Sequence, residues 1–327
     1  MARKFLQELE EKALSGDGIS TEEGRRLVHL PDTNLFDILA SAERIRRHFK
    51  GVDINLCSIV NARSGLCAED CTFCSQSSRY KTGVESYPMI PSDRIVESAL
   101  AASHHGAREF SIVTSGTGVN RSQDVEILTE ALGGINRETN LESCASLGIM
   151  KEETLMKLKE AGLHSYHHNL ETARSFFPEI CTTHDYEDDV KTVRLAKRLG
   201  FYICSGGLFG LGESWEQRVE LAETLRELDV DSIPINFLNP RPSTPLEEAK
   251  NLTPRECIII IALYRFMLPA KDIVICGGRE VNLRELQPLI FAAGANGMMM
   301  GNYLTTPGRD SKRDLVMIAD LGLRPRE

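Results

Sequence analysis

From position 54 to position 300 the sequence swings eight times between a short strand-like run and a longer stretch with apolar residues at helical spacing. The runs are "INLCSIV" (54–60), "REFSIVT" (108–114), "LESCASL" (141–147), "HSYHHNL" (164–170), "FYICS" (201–205), "SIPINF" (232–237), "DIVICG" (272–277) and "NGMMM" (296–300). Helical patterns fill 92–104, 121–133, 151–162, 188–199, 214–228, 253–267 and 283–293. Ser92 or Asp93 reads as the cap of the first, and Thr253-Pro254 opens the sixth. Strands alternating with helices pair in parallel, because each helix carries the chain back to the start of the next strand. Eight such units in about 250 residues match an α/β fold of the (β/α)8 TIM-barrel type. A six-stranded open barrel with its last two strands packed differently is the alternative. Positions 3–50 read as helices split near "SGDG" and "LPD". The expected organisation is an N-terminal helical extension over 1–50 and a barrel, with its C-terminal segment, over 51–327.

Hydrophobic content of 42% and charged content of 26% fit a soluble globular chain. A formal charge of −9 argues against nucleic acid or an anionic membrane as partner. The charged N-terminal stretch lacks a signal-peptide core. The longest apolar run, "CIIIIALYRFML" (257–268), falls short of the roughly 20 residues a bilayer requires. Nine cysteines without a secretory signal point to a reducing compartment, the cytoplasm, where clustered cysteines hold metal or do chemistry.

Just after the first strand, on the rim where barrels place their chemistry, stands Cys67-Ala-Glu-Asp-Cys71-Thr-Phe-Cys74. A structural zinc takes four ligands, and no fourth stands close in sequence, His104 and His105 lying on another helix. A cubane [4Fe–4S] cluster held by three thiolates keeps one iron open to an amine and a carboxylate, such as the methionine part of S-adenosylmethionine. Three buried bystander cysteines at this spacing in a polar loop are the bland alternative. The CxxxCxxC pattern with an aromatic before its last cysteine resembles the radical S-adenosylmethionine superfamily. The resemblance implies an electron passed from the cluster to the sulfonium and a 5′-deoxyadenosyl radical that removes hydrogen from unactivated carbon. "VTSGTG" (113–118) resembles the superfamily's turn for the methionine amino group, and "GGLFGLGE" (206–213) its glycine-rich adenine motif. Either glycine stretch alone is ordinary turn chemistry.

Four further cysteines, Cys57, Cys144, Cys204 and Cys276, fall on strands one, three, five and seven. Side chains inside such a barrel stack in layers drawn from alternate strands, so these thiols are expected to face one another across the lumen. Each alone reads as a small core residue. Four together suit zinc or an iron–sulfur cluster, and iron–sulfur is favoured because a structural zinc there would waste the active-site volume. Cys181 and Cys257 read as ordinary.

A closer resemblance covers nearly the whole chain. "GLCAEDCTFCSQSSRY", "LESCASLG", "HHNLET", "YICSGGLFGLGE", "SIPINFLNPRPSTPLE", "GGRE", "AGANGMMMGNYLTT" and "DLGLRP" together resemble the biotin synthase family. This implies sulfur insertion between C6 and C9 of dethiobiotin by two successive adenosyl radicals, with sulfur drawn from a buried auxiliary cluster. It implies the radical-cluster role for Cys67, Cys71 and Cys74, and cofactor contacts for Phe73, Tyr80, Ser115, Gly116, Asn169, Glu171, Gly206 and Gly207. It implies substrate contacts for Arg63, Asn169, Asn236, Thr305 and Thr306. The partners are dethiobiotin, S-adenosylmethionine and an external electron donor, with a homodimer left open.

Three positions depart from the family. Its best-known members ligate a [2Fe–2S] cluster with three cysteines and an arginine. This chain has Ser111 at one of those cysteines and Val274 at the arginine. Cys57 and Cys276 offer thiolates instead, Cys276 facing the same way as Val274 two residues earlier. The expectation is an auxiliary cluster of the four-iron type on Cys57, Cys144, Cys204 and Cys276. Asp189 stands where the family commonly has an arginine for the cofactor carboxylate, so that contact comes from elsewhere, with Lys191 or Arg194 as candidates, or is absent. The competing readings are another radical enzyme on the same barrel, of the hydrogenase-maturase or methylornithine-synthase kind, and a non-catalytic iron–sulfur carrier.

Overall fold

The computed structural model describes residues 2–30 and 32–326, so Pro31, in the second helix split, lies outside the described residues. Three helices come first: α1 (Ala2–Leu14), α2 (Thr21–Val28) and α3 (Leu35–Lys50). The alternating body follows as β1 (Asp53–Arg63), α4 (Ser92–His104), β2 (Glu109–Thr114), α5 (Ser122–Glu138), β3 (Glu142–Ser146), α6 (Glu152–Glu160), β4 (Ser165–His167), α7 (Tyr186–Arg198), β5 (Tyr202–Cys204), β6 (Gly207–Phe209), α8 (Trp215–Glu227), β7 (Ser232–Phe237), α9 (Pro254–Met267), β8 (Asp272–Ile275), α10 (Arg279–Leu283), α11 (Leu289–Ala292), β9 (Gly297–Met299), α12 (Ser311–Asp320) and β10 (Arg324–Pro325). Neighbouring strands are parallel, and β9 returns to β1 with Asn55 opposite Gly297 and Cys57 opposite Met299. β5 and β6 are halves of one stave, since both pair with β7. The ring is therefore a closed barrel of eight staves, and the open six-stranded alternative is excluded. Closure leaves the ring without a free edge.

Helix α9 explains the apolar run "CIIIIALYRFML". Every residue from Cys257 to Met267 is buried. The barrel takes one face, while α1, α2 and α3 pack on the other. Gly18, at φ +73°, lets the chain pass so close that a Cβ there would lie 2.2 Å from Met267 O. A buried Ile or Leu contributes roughly 1.5–3 kcal/mol, so the helical extension is needed to cover this face. Thr253 caps α9, accepting from Glu256 N in a reciprocal capping box. At its far end the fully buried Arg265 donates to Gly294 O (2.8 Å), Pro269 O (2.6 Å), Lys271 O (2.9 Å) and Asn296 Oδ1 (2.9 Å). It thereby fastens the starts of staves seven and eight.

Three expectations change. The N-cap of α4 is Pro91, and Ser92 Oγ donates instead to Glu130 (3.1 Å). The 283–293 pattern breaks into α10, a 3-10 turn and α11, because Arg284 turns left-handed at φ +51° and Pro288 follows. Strand β6 and helix α12 were absent from the sequence pattern, β6 because its glycines read as turn.

Candidate active site

β1 ends at Arg63, and residues 64–91 form a long rim loop before α4. Gly65 (φ +72°) and Leu66 (φ +54°) turn the chain sharply just before Cys67, and a Cβ at Gly65 would strike Ser86. Cys67 N donates to Gln76 O (3.0 Å), Ser78 N to Cys67 O (2.8 Å), and Cys74 N to Cys71 O (3.0 Å), so backbone bonds fold all three cysteines back together. The acids between them act as ties. Glu69 accepts from Thr117 Oγ1 (2.7 Å) and Asp70 from Thr182 N (2.8 Å), pinning the loop to the turns after β2 and β4. Tyr80 donates its hydroxyl to Asp70 O, so it braces this loop and does not line the cavity.

Cys67, Cys71 and Cys74 open into a cavity of 230 Å³ shared with Ser115, Gly116, Asn169 and Glu171. Three converging thiols beside backbone of the "VTSGTG" turn suit a three-thiolate cluster with a small molecule at its open corner. Glu171 adopts φ +61°, and burial lifts its carboxyl to about 7. Asn169 steadies it (3.4 Å) while accepting from Gly206 N (3.1 Å). Gly206 and Gly207 lie behind the wall. Their missing Cβ atoms let the fifth stave pass Pro234 O and Glu171 O.

The tertiary structure also brings in residues the linear pattern placed elsewhere. Cys181, read as ordinary, has its Sγ 3.9 Å from that of Cys71, and His184 Nδ1 lies 3.3 Å from Cys181. Asp189 is buried, and although burial opposes it, bonds to Nε2 of His168 (2.8 Å) and His184 (3.3 Å) hold its carboxyl below its ordinary value. Neither Lys191, which pairs with Asp188 (3.1 Å) in solvent, nor exposed Arg194 lines the cavity. Cys257 is ordinary: it is buried in α9.

Deeper lies a cavity of 350 Å³ lined by Cys57, Cys144, Cys204 and Cys276, with Ser111 and Val274 beside them. The staves are one, three, five and seven, Cys276 following β8 directly. Burial pushes all four thiols up, Cys144 to about 11 and Cys276 to about 12. Such thiols ionise only against a cation, which a metal cluster supplies. Phe73, Cys74, His167, Asn169 and Glu171 line both cavities and form their common wall. Asn236, Thr305 and Thr306 also line the deeper one, with Asn236 accepting from Gly277 N (2.9 Å). Arg63 lines neither cavity. Its guanidinium donates to Ser115 O (2.9 Å) and Gly118 O (3.2 Å) and pairs with Asp124 (3.3 Å), so it shapes the turn after β2 from outside.

Two lumen residues were missed: His167, 3.2 Å from Cys204 Sγ, and Glu109, bonded to Asn55 and raised by burial to about 7. Strand alternation could have placed both inside, since Glu109 and Ser111 share a face.

Residues 63–225 match the Radical SAM superfamily and residues 234–324 the Biotin and Thiamin Synthesis associated domain. The chain is 53% identical over 321 residues to the biotin synthase of Pelobacter propionicus, covering 98% of each. It is 51% identical over 323 residues to that of Geobacter sulfurreducens, covering 99% of this chain and 98% of the relative. Among solved structures, methylornithine synthase superposes with a TM-score of 0.85 at 21% identity over 98% of this chain and 97% of that one, a likeness of fold.

Proposed function

The chain belongs to the biotin synthase family of radical S-adenosylmethionine enzymes, which insert sulfur into dethiobiotin, and from that premise we propose how its own residues divide the work. Cys67, Cys71 and Cys74 hold the [4Fe–4S] cluster. Ser115 and Gly116 bind the methionine end of S-adenosylmethionine, and Glu171, steadied by Asn169, accepts from the ribose hydroxyls. When bound, cluster and cofactor supply the hydrogen-abstracting radical, on an electron from an external donor. Dethiobiotin lies along the wall common to the two cavities, its ureido ring towards Asn236 and its tail towards Thr305 and Thr306. Cys57, Cys144, Cys204 and Cys276 would hold a four-iron auxiliary cluster, which would supply the inserted sulfur.

One observation carries this reading: the three-cysteine and four-cysteine cavities adjoin, and Cys74, Asn169 and Glu171 line both. A molecule seated there faces both. The lumen donors fit four thiolates on four staves, while Ser111 and Val274 offer no ligand for the three-cysteine, one-arginine arrangement. Free thiols at nine positions suit a reducing cytoplasm, and no helix among the described residues is long and apolar enough to cross a membrane.

The test is anaerobic incubation with dithionite, S-adenosylmethionine and dethiobiotin. Both 5′-deoxyadenosine and biotin are expected. Deoxyadenosine without biotin would favour another radical reaction, and neither product would favour a carrier. Mössbauer spectra address the second cluster. A two-iron auxiliary signal, or one unchanged in Cys57→Ala/Cys276→Ala, refutes the four-cysteine site.

A further inference from the structure

The four lumen thiols are chemically unequal. Among the described residues, Cys57 and Cys276 have only carbonyls for partners, Ser58 O (3.7 Å) and Val274 O (3.6 Å), which can receive a thiol proton but give nothing to a thiolate. Beside Cys144 stand the hydroxyls of Ser165 and Ser111, which favour its thiolate against the burial that opposes it. Cys204 has a ring nitrogen, His167 Nδ1, at 3.2 Å. Arg241 is the only lysine or arginine among the described residues lining this cavity. The negative charge of a thiolate-bound cluster must therefore be met largely by oriented dipoles.

We propose that His167 is a positioning residue for the auxiliary cluster, donating its Nδ1–H to the Cys204 thiolate and thereby setting that cluster's reduction potential. The inference rests on the four-cysteine reading above. A thiolate sulfur can only accept, so a ligating Cys204 leaves one polarity for this contact, with the ring proton on Nδ1. Hydrogen bonds to a ligating sulfur stabilise the more electron-rich, reduced cluster and raise its potential. His167 is the last residue of β4, and its register partner across the ladder is Cys204 itself. The contact is thus built into adjacent staves and does not depend on a mobile loop. Because His167 also lines the cofactor cavity, it stands where the donated sulfide and the substrate carbon must meet.

The experiment compares the reconstituted parent with His167→Leu, which keeps the bulk without a donor, and His167→Asn, which restores an N–H near the position of Nδ1. Iron and sulfide are counted, and each cluster's midpoint potential is read by EPR-monitored redox titration. The parent is expected to hold roughly eight iron atoms per chain, two four-iron clusters. The auxiliary potential should fall in His167→Leu and return towards the parent in His167→Asn, with the radical cluster's potential unmoved in both. Loss of the auxiliary cluster in the Leu variant and its retention in the Asn variant supports the inference equally. An unchanged auxiliary potential in His167→Leu, or an equal shift or loss in both variants, overturns the inference while leaving the four-cysteine site intact. Only roughly four iron atoms per chain in the parent overturns that site, and the inference with it.

Discussion

Adding one methyl group at Gly206 should cripple the enzyme through the barrel wall. A Cβ there would lie 2.1 Å from Pro234 O and 3.0 Å from Pro234 Cδ, whereas real Cβ atoms keep at least 3.0 Å. The obstacle is backbone of the sixth stave, so stave five must retreat by about 1 Å. Gly206 N holds Asn169 Oδ1 (3.1 Å), and Gly206 O holds Leu170 N (3.1 Å). Two residues on, Leu208 N holds Glu171 O (2.7 Å). The displacement therefore reaches the two side chains assigned to the cofactor. A misplacement of about 1 Å costs about 10²-fold in rate, or about 2.7 kcal/mol of transition-state stabilisation. The assay is anaerobic 5′-deoxyadenosine formation at varied S-adenosylmethionine, on protein matched for iron content. Gly133→Ala in α5 is the control, since its Cβ would meet nothing within 4 Å; it should leave activity unchanged and stabilise by up to about 1 kcal/mol. Gly206→Ala protein within about threefold of the parent in kcat/KM would refute the argument.

Arg265→Met strands three carbonyls around a fully buried site and takes one of two donors from Asn296 Oδ1, and about 3–5 kcal/mol of stability should be lost, read from denaturant melts of the cluster-free protein. Glu109 is raised by burial to about 7 against 4.5, so the folded chain holds its proton more tightly than the unfolded one. Stability of the cluster-free protein is then lost as pH rises from about 4.5 through about 7, by roughly 3 kcal/mol in total, and melts of Glu109→Gln should lack that slope. Cys181→Ala tests whether the neighbour of Cys71 is a ligand. A three-cysteine cluster keeps its iron and its EPR signal in this variant, while a four-ligand site that includes Cys181 loses its metal.

How much of this was legible in sequence follows from which interactions are local. Strand and helix periods depend on residues a few positions apart, so the eight staves and the covering helices could be read directly. The 232–237 strand and the 92–104 helix agree to the residue. The same holds for Cys67, Cys71 and Cys74, whose spacing lies within one loop. The four lumen cysteines needed one step more, since layering by alternate staves converts strand number into position and placed them around one cavity. Arg63, Tyr80, Gly206 and Gly207 sit in the right neighbourhood for a different reason, because they shape the site from behind and do not line it. Cys181 meets Cys71 across 110 positions, and Asp189 finds two histidines on different segments. Those pairings are set by where two rim loops fold over one another, and no period in the sequence encodes that.

By itself, then, the sequence determined the barrel, the three-cysteine loop and the set of odd-stave thiols, because each is written in spacing along the chain. Only the tertiary structure decided which side chains face the cavities, which brace them, and that the three-cysteine and four-cysteine cavities share lining residues. Those outcomes depend on distances between segments far apart in sequence, fixed only when the ring closes and the rim loops pack.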